Sequence, residues 1–149
     1  MEKPTSFNVF VYGTLCSGRY NNRVMTREGG TAELIGPAHT SEKFLLFNGG
    51  FPRLARVPWY GRRPPCHIAV LDRLKGHVVG EVWKIDEQAL KNCDRLEGHP
   101  TFYRREPLPV VFEAPAKGYT TAWTYVIVDW PGSRGLMIPK DSRLKWRDE

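Results

Sequence analysis

The most chemically suggestive residue in this chain of 149 residues is a carboxylate placed on the apolar side of a helix. Asp86 can cap a helix start, Glu87 suits its positive end, and Gly98 stands where a left-handed residue would terminate it. Taking Leu90 as zero and about 100° per residue, Leu96 falls at about 240°, Ala89 at about 260° and Cys93 at about 300°, forming one apolar stripe. Glu97 falls at about 340°, inside that arc, and Asp94 at about 40°, just beyond its edge. Desolvation penalises a charge at such a position, and the last helical turn adds the negative end of the backbone dipole. Both effects raise a carboxyl pKa toward neutrality, where the group can take and return protons. The plain alternative is a surface glutamate that snorkels past Leu90 or pairs with Arg104 or Arg105.

A second feature is Tyr12-Gly13-Thr14-Leu15, at the end of an apolar run. A strand ending in Gly-Thr can turn successive main-chain N–H groups outward as a small anion nest suited to a carboxylate or an oxyanion. The alternative is a simple tight turn. No Walker A motif and no dinucleotide fingerprint are present. Cys16 follows the turn, but His39, His67, His77 and His99 are scattered, and no local pattern pairs one with a thiol nucleophile. Cys16, Cys66 and Cys93 form neither a CxxC nor a zinc spacing, which argues against a structural metal. With no secretory leader and no apolar run near the roughly 20 residues that span a bilayer, the expected setting is reducing and cytoplasmic, without a membrane partner.

The elements that must position these residues are mostly strands. Asn8–Tyr12, Ala32–His39, Lys43–Phe47, His77–Ile85, Leu108–Glu113 and Ala122–Val128 are predicted strands, separated by Gly/Pro turn chemistry such as Gly49-Gly50-Phe51-Pro52. Besides the helix from Asp86 to Gly98, a short one is predicted near Tyr20–Arg27. Val57–Arg73 reads as a long surface excursion. The apolar fraction of 41% and charged fraction of 26% are ordinary for a globular chain and exclude wholesale disorder. The expected fold class is α+β, a small, mostly antiparallel β-barrel flanked by a few helices. It forms one domain over residues 1–149, with its core at about 7–130 and a basic tail over 131–149 that Leu136, Met137 and Trp146 could dock.

The net charge of +6, from 22 Lys and Arg against 16 Asp and Glu, raises the question of nucleic acid. Arg62-Arg63, Arg104-Arg105 and the tail Arg143, Lys145 and Arg147 could meet phosphates, and Trp59, Tyr60 and Trp146 could stack bases. They come from separated segments with no common periodicity and no recognised motif. A solvated basic face is the favoured reading.

Taken in order, several motifs resemble the gamma-glutamylcyclotransferase-like superfamily, also called AIG2-like. They are Val9-Phe10-Val11-Tyr12-Gly13-Thr14-Leu15, Gly49-Gly50-Phe51-Pro52, Gly80-Glu81-Val82-Trp83, Leu96-Glu97-Gly98-His99-Pro100-Thr101-Phe102-Tyr103-Arg104-Arg105 and Ala122-Trp123-Thr124-Tyr125-Val126. The resemblance covers roughly Asn8 to Val128. The Tyr-Gly-Thr-Leu form with Glu-Gly-x-Pro-x-x-Tyr is most similar to the gamma-glutamylamine cyclotransferase branch. The resemblance implies a small β-barrel that releases 5-oxoproline and an amine from a small gamma-glutamyl substrate, with no metal or organic cofactor. It implies Glu97 as general acid/base, Tyr12, Gly13, Thr14 and Leu15 as the loop holding the gamma-glutamyl group, and Tyr103 beside the base. The alternative is a non-catalytic small-ligand module, or a basic nucleic-acid- or protein-binding module, on the same fold.

Overall fold

Strand β1 (Ser6–Val11) explains why its sequence is apolar without alternation: both of its faces are covered. Val9 and Val11 point into one apolar cluster, while Phe10 and then Tyr12 point into another, the period of two that a strand imposes. Phe10 is 0% exposed, a burial that contributes about 1.5–3 kcal/mol by itself. The computed structural model describes residues 6–19, 21–48, 52–56, 71–129 and 135–146. Residues 57–70 of the predicted excursion lie outside them, as do Gly49, Gly50, Phe51, Tyr20 and Arg147.

The other elements are a 3-10 segment (Asn22–Gly29), β2 (Ala32–Asn48), β3 (Pro52–Ala55), β4 (Gly76–Asp86), α1 (Glu87–Glu97), β5 (Tyr103–Phe112), β6 (Tyr119–Ile127) and β7 (Arg143–Leu144). Neighbouring strands run β2-β5-β6-β1-β4, and β4 pairs back onto β2, so five strands close into a barrel. Its pairings are antiparallel except β1 with β6, which are parallel at Val9 and Trp123. Strands β3 and β7 extend it from β2 and β4. The α+β barrel expected from the sequence is the observed fold.

Three elements differ from expectation for identifiable reasons. The two strands Ala32–His39 and Lys43–Phe47 are one continuous β2, because Thr40-Ser41-Glu42 forms an irregularity in the ladder rather than a break. Buried Thr40 makes this possible: its hydroxyl donates to the Glu42 carbonyl at 2.6 Å and accepts from the Val78 N–H at 2.9 Å. Strand β5 begins five residues earlier than predicted, at Tyr103, despite Pro107 and Pro109. Strand β2 pairs β5 only at Val110–Phe112, so both prolines sit where one strand edge is open. The predicted second helix is a 3-10 segment broken near Arg27 and Glu28, where Glu28 has φ +55°. Asn92 of α1 holds it, donating to the Val24 and Arg27 carbonyls at 3.1 and 2.8 Å.

The tail residues also pack. Trp146 is 4% exposed and donates from its indole to Asn48 Oδ1 at 2.9 Å, Leu144 is buried, and Leu136 and Met137 rest against the two apolar clusters. Among the described residues, no helix is long and apolar enough to cross a membrane.

Candidate active site

Helix α1 carries Glu97 to the barrel as its caps dictate. Asp86 accepts from the Ala89 N–H at 2.8 Å and from the Thr31 N–H at 3.1 Å, which fixes the helix start against the chain entering β2. Gly98 ends the helix at φ +65°, and the His99 N–H returns to the Asp94 carbonyl at 3.0 Å. Ala89, Leu90 and Cys93 face the core as the wheel predicts, and Asn92 joins them. Leu96 does not: it is 40% exposed. By the last turn the helix has run past its packing partners, and Leu96 lines the mouth of a cavity instead.

That cavity, of about 300 Å³, is lined by Tyr12, Gly13, Thr14, Leu15, Glu97 and Tyr103, so the structure brings all six sequence-predicted site residues together. Phe10, Val11, Asn21, Pro52, Leu96, Phe102 and Tyr125 complete its wall. Glu97 is half-buried there, and burial alone pushes its carboxyl up to about 7. Among the described residues, Glu97 makes no ion pair. Of the two cations that could pair with it, Arg104 is exposed and Arg105 is bound elsewhere, to Asp94 Oδ1 at 2.8 Å with its guanidinium 4.7 Å from the Trp123 ring centre.

The loop after β1 is organised by its carbonyls. Gly13 O accepts from the Cys16 N–H at 3.0 Å, Thr14 O from the Asn21 N–H at 2.9 Å, and Leu15 O from the Asn22 side-chain amide at 2.8 Å. The Asn21 amide also donates to Thr14 Oγ1 at 2.9 Å. Among the described residues, the main-chain N–H groups of Gly13, Thr14 and Leu15 have no main-chain acceptor. A loop whose carbonyls are occupied within it, and whose N–H groups meet no main-chain acceptor among the described residues, suits an anion. Glycine is needed at 13 because a Cβ there would lie 2.0 Å from Pro52 Cγ, so it is the cavity wall that a side chain would strike.

The three tyrosines are walls whose hydroxyl protons are committed. Tyr12 donates to the Tyr125 carbonyl at 2.6 Å, Tyr103 to the Pro52 carbonyl at 2.7 Å, and Tyr125 to Asp94 Oδ1 at 2.7 Å. Burial pushes the Tyr12 and Tyr103 hydroxyls well above their ordinary range, followed by the fields of Tyr103 and Glu97 on Tyr12 and of Glu97 on Tyr103. Asp94, one turn before Glu97, thus ties the end of α1 to both β5 and β6.

Asn21, Tyr125 and Asp94 are the residues that sequence reasoning missed. Asn21 resembles an ordinary helix cap, and Asp94 lies just off the apolar arc. Only Tyr125 carried a signal, inside the Ala122-Trp123-Thr124-Tyr125-Val126 motif. Cys16 is no nucleophile candidate: burial, then Glu81, pushes its thiol up to about 12, and the thiol donates to the Val11 carbonyl at 3.4 Å. Among the described residues, no group of three or more His, Cys, Asp or Glu could hold a metal ion. The basic surface is likewise dispersed: Arg143 pairs with Glu113, and Trp146 is buried beneath Arg19. Arg62, Arg63, Trp59 and Tyr60 lie outside the described residues.

Comparison with known proteins agrees with this geometry. A Methanocaldococcus jannaschii protein provisionally named a gamma-glutamylcyclotransferase is 30% identical over 139 residues, covering 93% of this chain and 97% of that one. The gamma-glutamylaminecyclotransferase of Bos taurus is 35% identical over 127 residues, covering 83% of this chain and 67% of the bovine protein. The crystal structure of an AIG2-like protein from Mus musculus superposes with a TM-score of 0.68 at 28% identity, covering 92% of this chain and 86% of that one. The family profile described as gamma-glutamyl cyclotransferase, AIG2-like, matches residues 9–147, which carries the likeness past Val128 and through the docked tail. With a profile match of that extent over a closed barrel of the same form, the chain belongs to the gamma-glutamyl cyclotransferase, AIG2-like family of enzymes.

Proposed function

We propose that this chain releases 5-oxoproline and a free amine from a small gamma-glutamylated compound, with Glu97 as the general acid/base. The observation that carries the reading is the one cavity shared by a carboxylate with a pKa of about 7 and a loop whose main-chain donors meet no main-chain acceptor among the described residues.

The substrate's α-carboxylate rests on the N–H groups of Gly13, Thr14 and Leu15, which places its α-amine within reach of its own γ-carbonyl. Glu97, ionised, takes a proton from the α-amine as its nitrogen attacks the γ-carbon and closes a five-membered ring. The tetrahedral intermediate then collapses. The bond from the γ-carbon to the departing nitrogen breaks, and Glu97 returns the proton to that nitrogen. One lactam and one amine leave, and the enzyme regains its starting state. Holding both reacting ends in one conformer removes most of the orientational cost of attack. A carboxyl group titrating near 7 is matched to both proton transfers. Tyr12, Tyr103 and Tyr125 form the wall around the glutamyl stem. The half-exposed Leu96 and Phe102 flank the mouth through which the amine departs.

The experiment is a panel of gamma-glutamyl donors, including peptide, alkylamine, amino-acid and aminoglycoside conjugates, assayed for 5-oxoproline. Turnover of at least one donor is expected. An absence of 5-oxoproline from every donor would overturn the reading.

A further inference from the structure

We propose that Glu81, in the Gly80-Glu81-Val82-Trp83 motif, is a positioning residue that clamps the substrate-binding loop to the barrel. The inference rests on the functional reading above and deepens it. Glu81 of β4 is level with Val11, the last residue of β1, so it stands beside the point where the loop leaves the barrel. The loop returns over it at Ser17. The Ser17 N–H donates to Glu81 Oε1 and the Ser17 hydroxyl to Oε2, each at 2.6 Å, and the Trp83 indole N–H also reaches Oε1, at 3.2 Å. Both carboxylate oxygens are therefore engaged, and short charge-assisted bonds of this kind are stronger than neutral ones.

The rest of the motif serves the same contact. A Cβ on Gly80 would lie 2.1 Å from the Val11 carbonyl, so glycine lets β4 run close under the loop's entry. Val82 is fully buried, and it fixes the strand in the core while Glu81 projects outward beside it. The loop's other main-chain and amide bonds, from Cys16, Asn21 and Asn22 to the carbonyls of residues 13–15, are internal to the segment 13–22. They make it stiff, while the Cys16 thiol on the Val11 carbonyl and the buried Leu15 side chain hold only its near end to the barrel. Glu81 supplies a bidentate attachment to a barrel strand two residues beyond Leu15. The contact is solvent-accessible, so its loss costs the global fold little and acts on the loop's order.

The test compares Glu81→Gln, Glu81→Ala and Ser17→Ala with the parent chain, using the best gamma-glutamyl donor. The loop binds substrate and does not move protons. Each Glu81 variant should therefore raise KM by about five- to tenfold, the scale of one typical hydrogen bond at a solvent-accessible contact, with kcat within about twofold. The pH profile of turnover should keep its limb near 7, because the surroundings of Glu97 are untouched. Ser17→Ala keeps the N–H donor and should raise KM less. Combined with Glu81→Ala it should add nothing, because the two act through one contact. Amide exchange at Cys16 and Asn21 should accelerate in the Glu81 variants, and less in Ser17→Ala. Wild-type KM together with wild-type exchange at these amides in Glu81→Ala would overturn the proposal, as would a fall in kcat at unchanged KM. Should the parent chain turn over no donor, the functional reading fails by itself, and exchange at Cys16 and Asn21 still decides whether Glu81 anchors the loop.

Discussion

Replacing Gly13 by alanine tests the cavity wall more sharply than any other single methyl group. The new Cβ would lie 2.0 Å from Pro52 Cγ, 3.0 Å from its Cβ and 3.1 Å from its Cδ, whereas ordinary contact begins at 3.4 Å. About 1.4 Å of separation must therefore be found against a closed ring whose only internal freedom is its pucker. Either the loop lifts from the barrel or Pro52 shifts, and Pro52 carries the carbonyl that accepts from Tyr103. Overpacking of this kind costs about 1–3 kcal/mol, and a domain of this size loses about 2–4 °C of Tm per kcal/mol. The effect on catalysis is larger, since a displacement near 1 Å at a preoriented site costs about a hundredfold in rate. Thermal unfolding and kcat/KM on one donor measure the two effects separately. The double variant Gly13→Ala with Pro52→Ala removes the clashing Cγ and should recover much of both losses. A Gly13→Ala protein with parental Tm and kcat/KM would refute the reasoning, because it would mean the loop and Pro52 are not in contact.

Other outcomes follow from named contacts. Burial raises the Glu97 carboxyl from its ordinary 4.5 to about 7, so the stability it contributes is full below 4.5 and is lost as pH rises through 7. Glu97→Gln should consequently melt above the parent at pH 8, with the gap shrinking toward pH 5, while the limb near 7 in the parent's rate profile disappears. Asp86 is the opposite case: bonds from the Ala89 and Thr31 N–H groups hold its carboxyl below 3.8, so its contribution is present above 3.8 and lost as pH falls through the lowered value. Asp86→Ala should cost about 1 kcal/mol at pH 7, seen as a lower Tm that converges on the parent in acid. Asp94→Asn keeps an acceptor for Tyr125 but leaves Arg105 without its carboxylate; a loss of about 1–3 kcal/mol is expected in denaturant unfolding.

What the sequence made legible was local. Glu97 could be placed because helical periodicity and the Asp86 and Gly98 caps are short-range signals, and each is realised in α1. The loop at Tyr12–Leu15 was visible because a β-branched run ends abruptly in Gly-Thr. The closure of the barrel was legible only as a class. Which strands meet is settled by contacts between distant segments, and the parallel pairing of β1 with β6 joins Val9 to Trp123 from opposite ends of the chain. Separation along the chain also hid the site's supporting parts. Tyr125 reaches Asp94 across 31 positions and Tyr103 reaches Pro52 across 51, with no periodicity to announce either. Leu96 misled because a wheel treats every turn of a helix as equally packed, whereas the last turn of α1 opens onto a cavity. Gly13 could be placed in the loop, but the need for glycine there comes from the Pro52 ring, a contact that local sequence does not announce.

The central claim is that one carboxylate moves the proton in both halves of the reaction. Its most direct test is single-turnover formation of 5-oxoproline by Glu97→Gln, run beside the parent on the same donor with binding of the donor followed independently. The account predicts a rate lower by at least about a hundredfold, the usual worth of a positioned general acid/base, with donor affinity and fold retained. A folded Glu97→Gln protein that forms 5-oxoproline at near the parent rate would contradict it.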